Sequence, residues 1–246
     1  MSIVDKVILI TGAASGIGQA ASQLFAENGA KLMISDQNIE GLRNQYLKLK
    51  DKKAEISSKV CNVADSTQVQ ELVQEAVHLY SKIDILIHAA GICKVSPLLE
   101  MTDEQWHETI NINLSGSFYI TRDVGRVMSK QKSGSMILMT SDRGVYGSAD
   151  YAHYAASKGG MIALVKSLAL QMGKHNVSVN GLNPGMTDTP LARGANSSNW
   201  DAKLALDVLG KATLPDEAAK ILLYLAGEAS AFTTGQIFGT RIRYGQ

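Results

Sequence analysis

The sequence predicts an α/β protein with a doubly wound parallel sheet of about seven strands and helices on both faces. Short apolar runs rich in β-branched residues alternate with helix-like segments along the whole chain of 246 residues. The run IDILIHAAG at 83–91 is almost entirely apolar, as a strand buried on both faces must be. No linker, repeat or low-complexity segment interrupts the alternation, so we expect a single domain over residues 1–246.

Most of the predicted strands are short apolar runs, although the third has a polar middle, and the helices are rich in helix formers. Strands are expected at 6–11, 31–36, 55–63, 83–91, 135–141, 176–185 and 236–242. Helices are expected at 18–28, 38–49, 66–80, 103–129, 152–173 and 215–227. Ser66 is expected to be the N-cap of the third helix, and Pro215 and Gly227 mark the ends of the last one.

The segment 186–212 does not follow this pattern, because it is polar, contains glycine and lacks a clear period. Insertions of this length in a compact domain often cover a binding site. We therefore expect residues 186–212 to form a substrate lid within the domain.

Composition and charge exclude several classes of function. The chain has 24 basic and 23 acidic residues, so its formal charge of +1 gives no general attraction to nucleic acid or to an anionic membrane. No stretch of about 18 apolar residues could span a bilayer, and the N-terminus lacks a signal-peptide pattern. Cys61, Cys93 and the five histidines lack metal-ligand spacing. We expect a cytoplasmic protein with free thiols, no metal, and no nucleic-acid or membrane partner.

A glycine-rich turn, TGAASGIG at 11–18, joins the first strand to the first helix. Gly12 permits a tight turn, Gly16 lets the backbone approach a phosphate, and Gly18 permits close packing of the helix. The helix N-terminus then offers N–H groups and a positive dipole end to a pyrophosphate. Asp36 ends the second strand 18 residues after Gly18, about where a carboxylate would bind an adenosine ribose. These features predict a Rossmann-type dinucleotide site, with a helix cap or turn as the alternative role of Asp36.

The stretch YAHYAASKGG at 151–160 opens a predicted helix and contains a candidate proton-transfer pair. Tyr154 and Lys158 would lie on one helix face about 6 Å apart along the axis, whereas Tyr151 would be about 10 Å from Lys158. Only Tyr154 is close enough for the ammonium of Lys158 to act strongly on its phenol and, together with the positive charge of an oxidised nicotinamide, to lower its pKa. On spacing alone, an ordinary surface pair remains the alternative.

Taken together, these motifs resemble those of the short-chain dehydrogenase/reductase family, in particular its compact single-domain members. The turn at 11–18 resembles the family's T-G-x-x-x-G-x-G cofactor motif, and Tyr154 and Lys158 match its Y-x-x-x-K. Ser141 precedes Tyr154 by 13 residues, close to the family's interval, and Asn113 in NINLSG matches its catalytic asparagine. The sequence NPGMTDT, at positions 183 to 189, resembles the loop that covers the nicotinamide.

The resemblance implies an NAD-dependent oxidoreductase that transfers a hydride between a secondary alcohol, or a diol, and the nicotinamide. Tyr154 would act as acid and base, Lys158 would tune it and bind the nicotinamide ribose, and Ser141 would bond the reacting oxygen. Asn113 would hold a water that links Lys158 to solvent, or, in the ordinary alternative, would bond the backbone. The implied cofactor-binding residues are Gly12, Ser15, Gly16, Ile17, Gly18, Asp36, Asn62, Val63, Ala90, Gly91, Tyr154, Lys158, Pro184, Gly185, Thr187 and Thr189. A homotetramer is also implied, formed through the helices at 103–129 and 152–173.

Two positions depart from the family pattern. His88-Ala89-Ala90-Gly91 stands where N-N-A-G is usual, so the sheet-stabilising second asparagine is expected to have no counterpart. Asn62 stands where aspartate is common, but its amide can still meet the adenine amino group.

Asp36 favours NAD, because the 2′-phosphate of NADP would face its carboxylate. The alternatives are a 3-oxoacyl-thioester reductase, which usually takes NADPH, and, in another class, a non-catalytic NAD-binding sensor or scaffold.

Arg143 follows Ser141 by two residues and could bind an acidic substrate group, with a salt bridge or exposure to solvent as the more ordinary alternative. Tyr151 and Cys93 are expected to line the pocket or pack. The substrate would be set by the lid and the C-terminal tail, and neither contains a motif that names it.

Overall fold

Seven parallel strands form one sheet in the order β3-β2-β1-β4-β5-β6-β7. The strands are β1 (Val7–Thr11), β2 (Lys31–Asp36), β3 (Ile56–Val60), β4 (Ile85–His88), β5 (Gly134–Met139), β6 (Val177–Asn183) and β7 (Ile237–Gly239). The computed structural model describes residues 3–52, 54–196, 200–227 and 232–241. The strand order reverses beside β1, and ligands of such sheets bind at that point, at the carboxyl ends of the strands.

Ten α-helices lie within the described ranges and cover both faces of the sheet. They are α1 (Gly16–Glu27), α2 (Ile39–Asp51), α3 (Ser66–Tyr80), α4 (Asp103–Ile110), α5 (Gly116–Gln131), α6 (Arg143–Tyr146), α7 (Ala152–Met172), α8 (Pro190–Ala195), α9 (Trp200–Leu204) and α10 (Pro215–Ala226). Helices α1, α2 and α10 pack on one face, and α3, α5 and α7 pack on the other. None of the described helices is long and apolar enough to cross a membrane.

The central strands are buried on both faces, which explains their unbroken apolar sequence. In β1, Ile8 and Ile10 point into the core under α1 and α10, whereas Leu9 points into the core under α3 and α5. All three side chains are 0% exposed. The predicted doubly wound parallel sheet is therefore confirmed, and its strands begin and end within a few residues of the predicted limits.

Two details differ from the predictions, and a third concerns the segment predicted as a lid. The N-cap of α3 is Asp65 rather than Ser66, because the Asp65 carboxylate accepts hydrogen bonds from the backbone N–H groups of Thr67 and Gln68. The helix predicted at 103–129 is interrupted by a π-helical segment, Asn111–Ser115. The segment predicted as a lid contains two short helices, α8 and α9, with residues 197–199 outside the described ranges.

His88 connects the two central strands at their carboxyl ends. Its Nδ1 lies 2.7 Å from Oγ1 of Thr11, and the His88 side chain is fully buried. Ala89, at the position of the second family asparagine, has no polar side chain, but the neighbouring His88 links β1 to β4. Burial and the positive charge of Lys158 both disfavour the imidazolium, and they lower the pKa of His88 to about 3.

This depressed pKa predicts an acid-dependent loss of stability that His88→Asn should remove. Below its ordinary pKa of 6.5, His88 takes up a proton in the unfolded chain but not in the folded protein, so stability falls as the pH falls towards about 3. Between about pH 7 and about pH 5, the wild type should lose about 2 kcal/mol more unfolding free energy than the asparagine variant. Urea unfolding at both pH values measures the difference, and equal losses in the two proteins would contradict the burial of a neutral His88.

Candidate active site

A cleft of about 350 Å³ lies at the carboxyl ends of the central strands. Its walls include all sixteen residues that the family resemblance implies for cofactor binding, together with Ser141. Asp36 ends β2 and Arg143 follows β5, three strands further along the sheet, so the cleft extends across the point where the strand order reverses. This length suits an extended ligand with a different chemical group at each end.

The glycine turn packs so tightly against neighbouring backbone that there is no room for a side chain at Gly12 or Gly18. Gly12 has a φ of +71°, and a Cβ atom there would lie 2.6 Å from the backbone nitrogen of Ala90. A Cβ on Gly18 would collide with the carbonyl oxygen of Gly12. Gly16 has a φ of +55° and faces Thr189, so the loop after β6 approaches the turn. No side chain of the described residues caps the N-terminus of α1, which is where the sequence predicts a pyrophosphate.

The carboxylate of Asp36 is held in place by the backbone. Its Oδ2 accepts from the N–H of Ala14, at 3.0 Å, and its Oδ1 accepts from the N–H of Asn38, at 2.9 Å. The N-cap of α2 is Asn38, so Asp36 is not the cap of this helix. Each carboxylate oxygen retains a further lone pair, which leaves Asp36 able to accept from ribose hydroxyls.

Tyr154 and Lys158 lie one turn apart in α7 and both line the cleft. The Lys158 Nζ is 5.6 Å from the centre of the Tyr154 ring and donates a hydrogen bond of 2.7 Å to the carbonyl oxygen of Met139. Burial lowers the pKa of Lys158 to about 8. The prediction that Lys158 lies beside Tyr154 within the cleft, rather than on the surface, is confirmed.

The lowered pKa of Tyr154 is predicted for the phenol beside both Lys158 and an oxidised nicotinamide, and the protein alone does not lower it. Burial raises the pKa of Tyr154, and this effect exceeds the opposite effects of the Arg143 charge and of a hydrogen bond with Ser141. Spacing along a helix could not reveal this, because it says nothing about how much water reaches the phenol. Tyr154 is therefore a phenol at neutral pH unless a further positive charge adjoins it.

Ser141 stands just beyond the end of β5, where side chains face the cleft. Its Oγ donates to Oδ1 of Asp142, at 3.1 Å, and accepts from the backbone N–H of Arg143, at 3.3 Å. Ser141 and Tyr154 both line the cleft, and the interaction with Ser141 favours a lower pKa of Tyr154. Ser141 and Tyr154 can therefore reach the same oxygen of a bound molecule.

Asn113 is buried in the π-helical segment and does not line the cleft. Its Oδ1 accepts from the N–H of Ile92, at 2.8 Å, and its Nδ2 donates to the Ile92 carbonyl, at 2.9 Å, and to Ser157 Oγ, at 3.1 Å. Asn113 therefore bonds the backbone, which is the alternative that the sequence offers to holding a water. A Cβ on Gly91 would lie 3.1 Å from Asn113 Oδ1 and 3.9 Å from Lys158 Nζ, so Asn113 is close to the lysine but separated from it by the loop.

The lid segment contributes residues that no sequence motif indicated. Asn196 and Lys203 line the cleft beside Arg143, and the hydroxyl group of Tyr151 donates to the carbonyl oxygen of Ala195. The predicted packing role of Tyr151 is confirmed, because this residue is 4% exposed.

Within the described residues, no group of three histidine, cysteine or acidic side chains could hold a metal ion.

Arg143 does not take the salt bridge or solvent position expected of it. Its guanidinium carbon lies 3.8 Å from the centre of the Tyr151 ring, and its Nη2 donates to Asn196 Oδ1, at 3.2 Å. Its Nη1 lies 3.4 Å from the sulfur of Cys93, which is also part of the cleft wall. Arg143 therefore packs between the core of the site and the lid segment.

The fold and the cleft define a protein of the dinucleotide-binding α/β class. A family model described as enoyl-(acyl carrier protein) reductase matches residues 12–240. The 3-oxoacyl-[acyl-carrier-protein] reductase FabG of Thermotoga maritima is 37% identical over 239 residues, which cover 97% of each chain. The chain belongs to the short-chain dehydrogenase/reductase family, as the sequence motifs predict, and it is an oxidoreductase of that family.

Solved structures of relatives have the same fold and contain either cofactor. A structure of NAD⁺-bound xylitol dehydrogenase superposes with a TM-score of 0.91 at 27% identity, covering 98% of this chain and 99% of the other. A variant of actinorhodin polyketide ketoreductase with NADPH also has a TM-score of 0.91, at 29% identity, covering 96% and 95%. The family therefore supports a nicotinamide cofactor, and the choice between NAD and NADP depends on residues of this chain.

Proposed function

We propose that this protein is an NAD-dependent oxidoreductase that interconverts a secondary alcohol, or a diol, and the corresponding carbonyl compound. The observation that carries the proposal is one cleft with a backbone-held carboxylate, Asp36, towards one end and the hydroxyls of Ser141 and Tyr154 towards the other. The carboxylate suits an adenosine ribose without a phosphate, and the two hydroxyls suit a reacting oxygen.

The residues of the cleft fit a dinucleotide. Gly12 and Gly18 allow the backbone of the turn to pack tightly, and no side chain in the described part of the chain caps the N-terminus of α1, which suits a pyrophosphate. Lys158 would bind the nicotinamide ribose, and Asn62 and Val63 would flank the adenine. The residues Pro184, Gly185, Thr187 and Thr189 would cover the nicotinamide. When bound, the oxidised cofactor supplies a hydride acceptor and a positive charge.

Tyr154 would hold or release the proton at the substrate oxygen, with Ser141 donating a hydrogen bond to that oxygen. The raised pKa of Tyr154 keeps it protonated in the protein alone, as an acid for carbonyl reduction. For alcohol oxidation, Tyr154 needs positive charge near its phenol, and Lys158 supplies one such charge from the same helix face. Lys158, with its pKa of about 8, stays mostly protonated at neutral pH.

A 3-oxoacyl-thioester reductase is the second candidate, favoured by the 37% identity to FabG of T. maritima. The surroundings of Asp36 disfavour the NADPH that such an activity usually takes. Within the described residues, the cations that line the cleft are Arg143, Lys158 and Lys203, and none belongs to the glycine turn or follows β2. A 2′-phosphate would face the Asp36 carboxylate without a basic partner.

A substrate panel tests the proposal. Secondary alcohols, diols, sugars and 3-hydroxyacyl thioesters are offered with NAD, and formation of NADH is followed. We expect NADH with at least one alcohol or diol. A non-catalytic sensor or scaffold, the candidate of another class, would bind NAD in a calorimeter and form no NADH with any of them, and that result would overturn the proposed function.

We also propose a homotetramer, in which α4, α5 and α7 pack against their copies. Large apolar side chains on these helices face outward: Trp106, Phe118 and Leu170 are 38%, 46% and 88% exposed. Burying such side chains between copies would stabilise the assembly. Light scattering at micromolar protein should give four times the mass of the chain, and a monomer would contradict the assembly.

A further inference from the structure

Three consecutive polar residues stand just beyond β5, at the end of the cleft that contains Tyr154. Ser141, Asp142 and Arg143 all belong to the cleft wall, and Arg143 begins α6. The backbone N–H of Arg143 donates to Ser141 Oγ, at 3.3 Å, and its guanidinium carbon lies 5.9 Å from the centre of the Tyr154 ring. A small molecule that reaches the hydroxyls of Ser141 and Tyr154 therefore also lies beside Asp142 and Arg143.

Asp142 and Arg143 bring opposite charges to this end of the cleft. The Asp142 Oδ1 accepts from the backbone N–H of Arg143, at 2.8 Å, and from the hydroxyl of Ser141, at 3.1 Å. Burial is the main cause of the raised pKa of Tyr154, and the charge of Arg143 lowers this pKa while the charge of Asp142 raises it. A substrate anion would face the carboxylate and a substrate cation would face the guanidinium, so an uncharged substrate suits this wall best.

The guanidinium of Arg143 is fixed by the groups around it. Its carbon lies 3.8 Å from the centre of the Tyr151 ring, and its Nη1 donates to the sulfur of Cys93, at 3.4 Å. Its Nη2 donates to Asn196 Oδ1, at 3.2 Å, and Lys203 Nζ donates to the same oxygen, at 2.7 Å. Within the described residues, these hydrogen bonds engage two of the five N–H donors of the guanidinium, and the remaining donors can bind a ligand.

A hydroxyl group suits the position beside Arg143 better than a charged or an apolar group does. It accepts a hydrogen bond from the guanidinium, and it carries no charge that Asp142 would repel. An apolar group would displace water from the guanidinium without replacing its hydrogen bonds, which is unfavourable. Because Arg143 lies so close to Ser141 and Tyr154, the carbon with this hydroxyl must adjoin the reacting carbon.

The geometry points to a hydroxyl-binding subsite formed by Arg143 beside the reacting oxygen. Resting on the proposed function, we propose that the substrate is a short uncharged diol or polyol with hydroxyls on adjacent carbons, and that the product is the hydroxyketone. The reacting hydroxyl would meet Ser141 and Tyr154, and the neighbouring hydroxyl would accept from Arg143. Tyr151 and Asn196 are positioning residues, because they hold the guanidinium in place.

The reaction balances without a further reactant. The C–H bond of the reacting carbon breaks, and the hydride, with both electrons, passes to the oxidised cofactor. The hydroxyl proton passes to Tyr154, and the carbon–oxygen double bond forms. The neighbouring hydroxyl is unchanged, so it serves to bind and orient the substrate.

Matched alcohols test the subsite. The stereoisomers of butane-2,3-diol are compared by kcat/KM with NAD against butan-2-ol, which lacks only the second hydroxyl, and against 3-hydroxybutanoate, which carries a carboxylate. The wild type should prefer at least one diol over butan-2-ol by roughly 10- to 150-fold, the range for a hydrogen bond to a charged group. It should show no such preference for 3-hydroxybutanoate.

Variants of Arg143 show whether this residue recognises the second hydroxyl. Arg143→Met should remove most of the preference for the diol, and Arg143→Lys should keep part of it, because an ammonium also donates hydrogen bonds. A merely structural defect would slow both alcohols alike and leave the ratio of their kcat/KM values unchanged. Arg193→Gln is the control and should keep the full preference, because Arg193 pairs with Asp188 outside the cleft wall.

The outcomes separate the subsite from the proposed function. Butan-2-ol or 3-hydroxybutanoate at least as fast as every diol in the wild type, or an unchanged diol preference in Arg143→Met, would overturn the subsite and leave the oxidoreductase intact. The absence of NADH with every alcohol of the wider panel would overturn the proposed function instead. If none of the matched alcohols is oxidised, calorimetric titration of the NAD complex with the diols decides the subsite. Diol binding that Arg143→Met weakens at least tenfold would support it, and no binding to the wild type would overturn it.

Discussion

Tyr154→Phe is expected to abolish turnover while leaving NAD binding largely intact. The variant loses only the hydroxyl that exchanges a proton with the substrate oxygen, and the ring still fills its place in α7. General acid–base groups contribute roughly 10²- to 10⁴-fold to a rate, so kcat should fall by at least that factor. Steady-state kinetics measure kcat, and calorimetric titration with NAD measures binding.

Tyr151→Phe is the matched control, because it removes a tyrosine hydroxyl three residues away in the same region. The Tyr151 hydroxyl contacts Ala195 and Lys203 of the lid segment rather than the proton-transfer pair. Its loss should change KM and retain much of kcat. If Tyr151→Phe is inactive and Tyr154→Phe retains activity, the assignment of the acid and base is wrong.

Asp36→Ala combined with Gln37→Arg is expected to shift cofactor preference from NAD towards NADP. A 2′-phosphate carries a charge of about −1.5 to −2, and two unit charges 4 Å apart repel by roughly 4 kcal/mol at an effective dielectric of 20. Solvent and salt at the cleft edge reduce this to about 1–3 kcal/mol, or roughly 5- to 150-fold in the ratio of kcat/KM values. Removing Asp36 also frees the N–H groups of Ala14 and Asn38, which could then donate to a phosphate.

Gln37→Arg alone is the control for this double variant, because it adds the cation and keeps the carboxylate. Its preference should lie between those of the wild type and the double variant. An unchanged ratio in the double variant would mean that Asp36 does not face the ribose of the cofactor.

The sheet and its order of elements could be predicted from the sequence because burial on both faces leaves a direct mark on composition. The strand β4 is apolar except for His88 for this reason, and each glycine of the 11–18 turn lies where a side chain would collide or where φ is positive. The π-helical segment at Asn111–Ser115 could not be predicted, because one extra residue in a helical turn leaves no pattern in the sequence. The cap at Asp65 was missed because adjacent Asp and Ser residues are equally good caps.

At the site, local motifs predict which residues line the cleft better than they predict what those residues do. The sequence predicts Ser141, Tyr154 and Lys158 in the cleft, and all three line it. The hydrogen bonds of Asn113 to Ile92 and the raised pKa of Tyr154 depend on burial, which tertiary packing sets. Arg143 and Asn196 form a hydrogen bond although they lie 53 positions apart in the sequence. Asn196 belongs to a segment without a clear hydrophobic period, so the sequence does not predict this contact.

The wild-type ratio of kcat/KM with NAD to kcat/KM with NADP, measured on one alcohol that the enzyme oxidises, tests the proposed function most directly. A backbone-held Asp36 without a basic neighbour predicts a ratio of roughly 5 to 150 in favour of NAD. A ratio of one or less, or faster reduction of a 3-oxoacyl thioester with NADPH than oxidation of any alcohol with NAD, would contradict it and favour the thioester reductase.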